Sequence, residues 1–211
     1  GFVMTVIVDY GVGNLFSLKS SLSYIGIESA VSGDPETIRR ADRIILPGVG
    51  AFADARAKLK ANGLDELIIS EAKNGKLLMG ICLGMQLLFE RSYEYGVTEG
   101  LGLISGEVRP IASIIPIEYK VPHIGWNALR FSDKGKNSEV FKYITEGDYV
   151  YFVHSFAGMD CDESVIATAE YGDEITAAVA CGNVYGMQFH PEKSGDVGLK
   201  ILKAFCEIKK T

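Results

Sequence analysis

The sequence is short of positive charge. Its 21 lysines and arginines are outnumbered by 27 aspartates and glutamates, for a formal net charge of -6 and a pI near 5.2. Nucleic-acid grooves are built from clustered basic residues, so this balance argues against DNA or RNA as a main partner. Long apolar runs are missing too. Nowhere do roughly 20 successive apolar residues occur, the length a membrane-crossing helix needs, and no membrane association is expected. The first residues lack the charged, apolar, small-residue order of a secretory signal, which makes the cytoplasm the expected location. Only four cysteines occur, Cys82, Cys161, Cys181 and Cys206, with no CxxC pair and no Cys/His cluster at zinc spacing. Disulfide frameworks and zinc sites are therefore not expected. Neither a metal nor a cofactor is called for. Gly1, Phe2 and Val3, ahead of Met4, are expected to be an expression remnant without function.

Glycine and alternating apolar segments are what the chain does have. Its 24 glycines in 211 residues exceed the usual share of about 7% and point to many tight turns. A chain of this length with 47% hydrophobic residues can hide roughly 70% of its unfolded surface, in one large domain or two small ones. In the first half, residues 5–10, 27–31, 43–46 and 77–81 read as buried strands. Residues 15–24, opened by Asn14, then 54–60 and 64–73 read as helices. That alternation implies βαβ units and a mostly parallel central sheet flanked by helices, with ligands expected beyond the carboxyl ends of its strands. After about residue 104 the pattern turns β-rich, at 107–111, 126–131, 149–156, 165–171, 177–180 and 184–189, and reads as an antiparallel extension. Residues 196–210 close the chain as an amphipathic helix. No linker, repeat or charge block divides it, so a single α/β domain over 1–211 is expected.

The segment that promises chemistry is KLLMGICLGMQLLFE at 76–90, where an apolar strand runs through Gly80-Ile81-Cys82-Leu83-Gly84 into an apolar helical face. Small residues on either side of a central nucleophile are what a sharp strand-to-helix elbow requires. The helix start below it favours thiolate over thiol. Equally, Cys82 can be one more buried small residue, the commoner fate of a free cysteine. A thiol nucleophile needs a base, and only His123, His154 and His190 are available. In His190-Pro191-Glu192 the proline pushes His190 toward extended backbone, letting the His and Glu side chains project to one side. This supplies a Cys, His, Glu set in which Glu192 supports one ring nitrogen and the other exchanges a proton with Cys82. An ordinary surface pair is the alternative. Donors for an oxyanion are offered by the Leu83 N–H and by Pro47-Gly48-Val49-Gly50, whose two glycines allow close approach or a peptide flip.

Taken together these residues resemble the class I glutamine amidotransferases. The likeness runs nearly end to end, through DYGVGN at 9–14, LPGVGAF at 46–52, GICLGMQLLFE at 80–90, PHIGWN at 122–127, YFVHSF at 151–156 and GMQFHPEKS at 186–194. The elbow and the FHPE segment are shared by the wider family, while PGVGAF, PHIGWN and YFVHSF look particular to its histidine-pathway branch. The resemblance implies that Cys82 attacks the side-chain amide of glutamine, His190 protonates the departing ammonia and Glu192 orients His190. It further implies that Gln86 and the strand around His154, Ser155 and Phe156 hold the glutamine, His154 being as readily a core histidine. Relatives often carry Tyr where this chain has Phe156, so no contact there can rest on a phenol hydroxyl. In that branch the ammonia goes to a separate cyclase subunit, a (β/α)8 barrel for which this chain has neither the length nor the repeated units. Contact with it is expected near Asn14, Trp126 and Lys193, whose alternatives are a helix cap, a packed aromatic and a solvated charge. Two other readings stand beside this one: the glutaminase subunit of an anthranilate or guanylate synthase, and a non-catalytic scaffold on the same fold.

Overall fold

A computed structural model describes residues 3–209; Gly1 and Phe2 of the expected remnant, and residue 210 of the expected last helix, lie outside them. Burial on both faces shapes the first strand, β1 (Thr5–Val8), in which Ile7 packs to one side and Val6 and Val8 to the other. It is followed by α1 (Leu15–Tyr24), capped by Asn14, whose Oδ1 accepts from the Ser17 N–H at 3.3 Å. The alternation continues through β2 (Ser29–Ser32), α2 (Pro35–Arg40), β3 (Arg43–Leu46), α3 (Phe52–Ala61), α4 (Leu64–Lys73) and β4 (Leu77–Ile81). After the elbow come α5 (Leu83–Leu87), β5 (Phe89–Ser92), β6 (Thr98–Glu99) and β7 (Ile104–Pro110). The remainder comprises β8 (His123–Ala128), β9 (Arg130–Phe131), α6 (Asp133–Lys136), β10 (Tyr149–His154), β11 (Phe156–Met159), β12 (Val165–Glu170), β13 (Glu174–Cys181), β14 (Val184–Met187) and α7 (Gly195–Glu207).

Eight strands form the central sheet in the order β2-β1-β3-β4-β14-β13-β12-β9. Pairing is parallel from β2 to β14 and antiparallel from β14 to β9. About half of the expected extension's strands continue the same sheet, and β14 is the seam, parallel to β4 on one side and antiparallel to β13 on the other. Helices α1 and α7 cover one face through Leu18, Leu22, Ile201, Leu202 and Phe205. Helices α2, α3 and α4 cover the other through Ile38, Ala55, Leu59, Leu64 and Ile68. Each fully buried Leu, Ile or Phe stabilises the fold by about 1.5–3 kcal/mol. A four-stranded sheet β11-β7-β5-β6 and the pair β10-β8 complete the strands of the described residues.

Several segments depart from the sequence reading. The helix after Cys82 is only five residues long, because 89–92 leaves it to pair with β7 as β5. A short apolar run does not by itself distinguish strand from helix. Residues 149–156 are not one strand. β10 pairs with β8, the chain changes sheet at Ser155, and β11 pairs with β7.

Candidate active site

Cys82 stands between β4 and α5 with φ 56° and ψ -115°, a left-handed backbone that only two other described non-glycine residues share. Such a conformation costs about 1–3 kcal/mol and persists only where its surroundings enforce it. Here they do. A Cβ on Gly84 would lie 1.9 Å from the Leu46 carbonyl oxygen, and one on Gly80 would lie 2.5 Å from that of Gly84. The Cys82 N–H donates to Met187 O at 2.7 Å, tying the elbow to the end of β14.

That same strand end leads to His190 and Glu192. The His190 N–H donates to Tyr151 O at 3.0 Å, and the Ser194 hydroxyl donates to His190 O at 2.6 Å. His190 Nδ1 lies 2.6 Å from Glu192 Oε1, with the two side chains only 4% and 5% exposed. A carboxylate accepts, so Nδ1 carries the proton and Nε2 is the nitrogen left over. Burial opposes a charge on His190, yet its interactions with Cys82 and Glu192 outweigh burial and hold it up to about 9, from an ordinary 6.5. The contact with the thiol is looser than a full hydrogen bond, since His190 Nε2 has no partner of ordinary geometry among the described residues. Strand pairing therefore brings Cys82, His190 and Glu192 together from positions more than a hundred residues apart in sequence.

The expected oxyanion donors are a different matter. The Leu83 N–H is not free but donates to Gly48 O at 3.2 Å. In a trans peptide the carbonyl and the following N–H point opposite ways, so the Val49 N–H is turned from Leu83. Rotating the one peptide between Gly48 and Val49 would release the Leu83 donor and bring the Val49 donor round beside it. The next residue, Gly50, has φ 98°, a backbone that favours glycine.

Beside the thiol lies a cavity of about 430 Å³, within the roughly 300–1,000 Å³ usual for small-molecule sites. A larger hollow of about 600 Å³ near Lys19 and Glu28 has neither a cysteine nor a histidine in its lining. Val49, Gly50, Leu83, Gln86, Ser155 and Phe156 line the smaller cavity together with Cys82 and His190; Gly48 does not reach it. The Gln86 side-chain amide is held in place, donating to Phe156 O at 3.2 Å and to Gln188 Oε1 at 3.1 Å. His154 lines the cavity but spends its ring on the protein: Nδ1 donates to Phe156 O at 2.9 Å, and Nε2 lies 2.8 Å from His123 Nδ1. Burial lowers its pKa to about 4, keeping the ring neutral. Both ring nitrogens of His154 are thus engaged within the protein, and the ring fixes the Phe156 carbonyl at the cavity wall.

Glu94 was missed in the sequence. It is the one acidic residue lining the cavity, and burial raises its pKa. Nothing in SYEYG at 92–96 marks it; only the return of the chain from β5 brings it to the site. Lys193 is exposed and also lines the cavity. Trp126 is 52% exposed on β8, while Asn14 is engaged as the cap of α1. No helix of the described residues is long and apolar enough to cross a membrane.

A strained cysteine elbow facing a buried His–Glu pair across a parallel strand end defines a class, and residues 6–208 match the family model of class-I glutamine amidotransferases. The chain belongs to that family. Within it, the chain is 48% identical to imidazole glycerol phosphate synthase subunit HisH of Wolinella succinogenes, over 97% of this chain and 100% of the relative. Identity is likewise 48% to the subunit HisH of Lactococcus lactis, over 96% and 97% of the two chains, and 46% to that of Aquifex aeolicus, over 95% of each. The fold is shared with solved structures described as a glutamine amidotransferase (TM-score 0.73, 20% identity, 97% and 99% covered) and as PurLQS from Thermotoga maritima (TM-score 0.73, 23% identity, 96% of each).

Proposed function

We propose that the chain is the glutaminase subunit of imidazole glycerol phosphate synthase and works in histidine biosynthesis. The observation that carries the chemistry is the strained Cys82 beside the His190–Glu192 pair. Cys82 Sγ attacks the side-chain amide carbon of glutamine. The resulting oxyanion is held by the N–H groups of Leu83 and Val49 once the Gly48–Val49 peptide has turned. His190 gives its proton to the amide nitrogen, ammonia leaves, and a thioester remains on Cys82. Water then attacks the thioester and returns a proton to His190, so that glutamine and water become glutamate and ammonia. Glu192 keeps the imidazole oriented and supports its charge. Glutamine lies in the cavity against Gln86 and the 154–156 backbone, its ammonium group toward Glu94, the acidic group the cavity offers.

The ammonia passes to a cyclase subunit, a (β/α)8 barrel, which uses it to close an imidazole ring. Docking is at the face carrying Asn14, Trp126 and Lys193, beside the cavity mouth, and residues 1–211 act as one amidotransferase unit in the cytoplasm. With the Leu83 donor occupied by Gly48 O, the free chain is nearly silent and its cyclase activates it. The test is glutamate release with and without the cyclase and its nucleotide. Stimulation by the cyclase, abolished by Cys82→Ala, is expected. Full activity in the isolated chain would remove the regulatory part, and recovery of an anthranilate or guanylate synthase instead of a cyclase would reassign the partner.

A further inference from the structure

Beneath the Pro47–Gly50 loop lies a tyrosine that the reaction, as set out, does not use. Tyr10 follows β1, is only 4% exposed, and packs in the apolar cluster that includes Leu46, Phe52 and Leu83. Its hydroxyl donates to Pro47 O at 2.6 Å. The residue after Pro47 is Gly48, whose own carbonyl occupies the Leu83 N–H. A Cβ on Gly48 would meet the Tyr10 hydroxyl at 2.8 Å, the Gly84 nitrogen at 3.0 Å and the Leu83 Cβ at 3.1 Å. Tyrosine, loop and elbow are therefore in mutual contact at the peptide next to the one that must rotate. Ionisation of Tyr10 is strongly opposed, first by burial and then by the charge of Cys82, so it remains a donor throughout the working pH range.

One restraint acts directly on the peptide between Pro47 and Gly48: the Tyr10 hydroxyl holds its carbonyl. The proline ring adds stiffness just before it by fixing φ of Pro47. The peptide that follows is held by a longer contact, its carbonyl accepting from the Leu83 N–H at 3.2 Å. We propose that Tyr10 is a positioning residue for glutamine hydrolysis: its hydroxyl pins the Pro47 carbonyl, so that the loop responds by turning the Gly48–Val49 peptide alone and delivers the Val49 N–H beside Leu83. Without the pin the loop moves as a whole, and the two donors meet the oxyanion in poorer register. The inference rests on the oxyanion reading given above.

Tyr10→Phe removes one buried oxygen and keeps the ring, so the complex with the cyclase remains assembled, which thermal unfolding verifies. Its glutaminase kcat is expected to fall about 10-fold, a fraction of the roughly 10²–10³-fold lost when an oxyanion donor is removed outright. The KM for glutamine stays within about two-fold, because the cavity is untouched. Alkylation of Cys82 by iodoacetamide, which forms no oxyanion, also keeps its rate. An unchanged kcat overturns the proposal, as does a parallel loss of kcat and alkylation, the sign of a generally disturbed elbow. Val49→Pro, which deletes the second donor, separates this from the premise. If Val49→Pro leaves kcat intact, the oxyanion reading itself fails. If Val49→Pro lowers kcat and Tyr10→Phe does not, the role of Tyr10 alone is lost.

Discussion

Around Cys82 the glycines close off movement; in residues 47–50, facing it, Gly48 is closely packed too, but Gly50 leaves the chain open space. Gly80 and Gly84 sit against backbone atoms that leave no room for a Cβ, and the cysteine between them is held in a conformation it would not adopt alone. Gly50 has open space where a side chain would go, and the carbonyl of Gly48 rests on the Leu83 N–H that the proposed reaction needs. In the mechanism proposed above, the nucleophile and its base are built in advance, whereas the groups that would stabilise the oxyanion wait on one peptide. On the proposed function, a site divided in this way would hold its thiol ready without turning over glutamine, and so without releasing ammonia into water when no synthase is there to take it.

The comparison breaks most plainly at the rigid side. Cys82→Ala should abolish cyclase-stimulated glutamate release by at least about 10⁴-fold while the complex still assembles. Residual turnover within 100-fold of the original would mean that the elbow is not the nucleophile's seat. The next largest effect contrasts the glycines themselves. Gly84→Ala drives a methyl group into the Leu46 carbonyl and should destabilise the chain by about 3 kcal/mol, the upper end of overpacking costs. Gly50→Ala meets no atom and carries only its backbone strain, about 1–2 kcal/mol. Urea unfolding of both variants ranks them, and equal losses would erase the distinction between the two segments.

Local patterns carried much of this into the sequence. The βα alternation of the first half, the glycine spacing around Cys82 and the His190-Pro191-Glu192 turn are all set within a few residues, and each can be read from residue type and spacing. What stayed hidden depends on pairing between distant segments. That β14 is shared by the parallel and antiparallel halves, and so carries His190 to Cys82, follows from the register Met187 with Ile81. The sheet change at Ser155 is settled by partners on β8 and β7. Glu94 reaches the cavity only through the fold of β5, and the lock between Leu83 and Gly48 is a contact across 35 positions of chain. Hydrophobic period marks which face of a strand is buried, not which strand lies beside it.

The smallest effect sharpens the comparison by titration, because a preformed base should show its tuning in the pH profile. His190 ordinarily loses its proton near 6.5 and here keeps it to about 9; burial pulls the value down, and Cys82 and Glu192 together push it up. In the proposed mechanism the protonated ring is the form that gives its proton to the leaving nitrogen. Glutaminase activity of the complex should therefore persist through neutral pH and fall as the pH rises through about 9. Glu192→Gln keeps an oxygen for the Nδ1–H but removes the negative charge, so one of the two upward influences weakens while burial stays. The alkaline limb must then move to lower pH, toward 6.5, and the variant should lose more against the parent at pH 8.5 than at pH 6.5, with a loss of up to about 10²-fold overall. A limb that stays at 9 in the variant would show that Glu192 does not sustain the charge on His190, leaving Cys82 alone to do so.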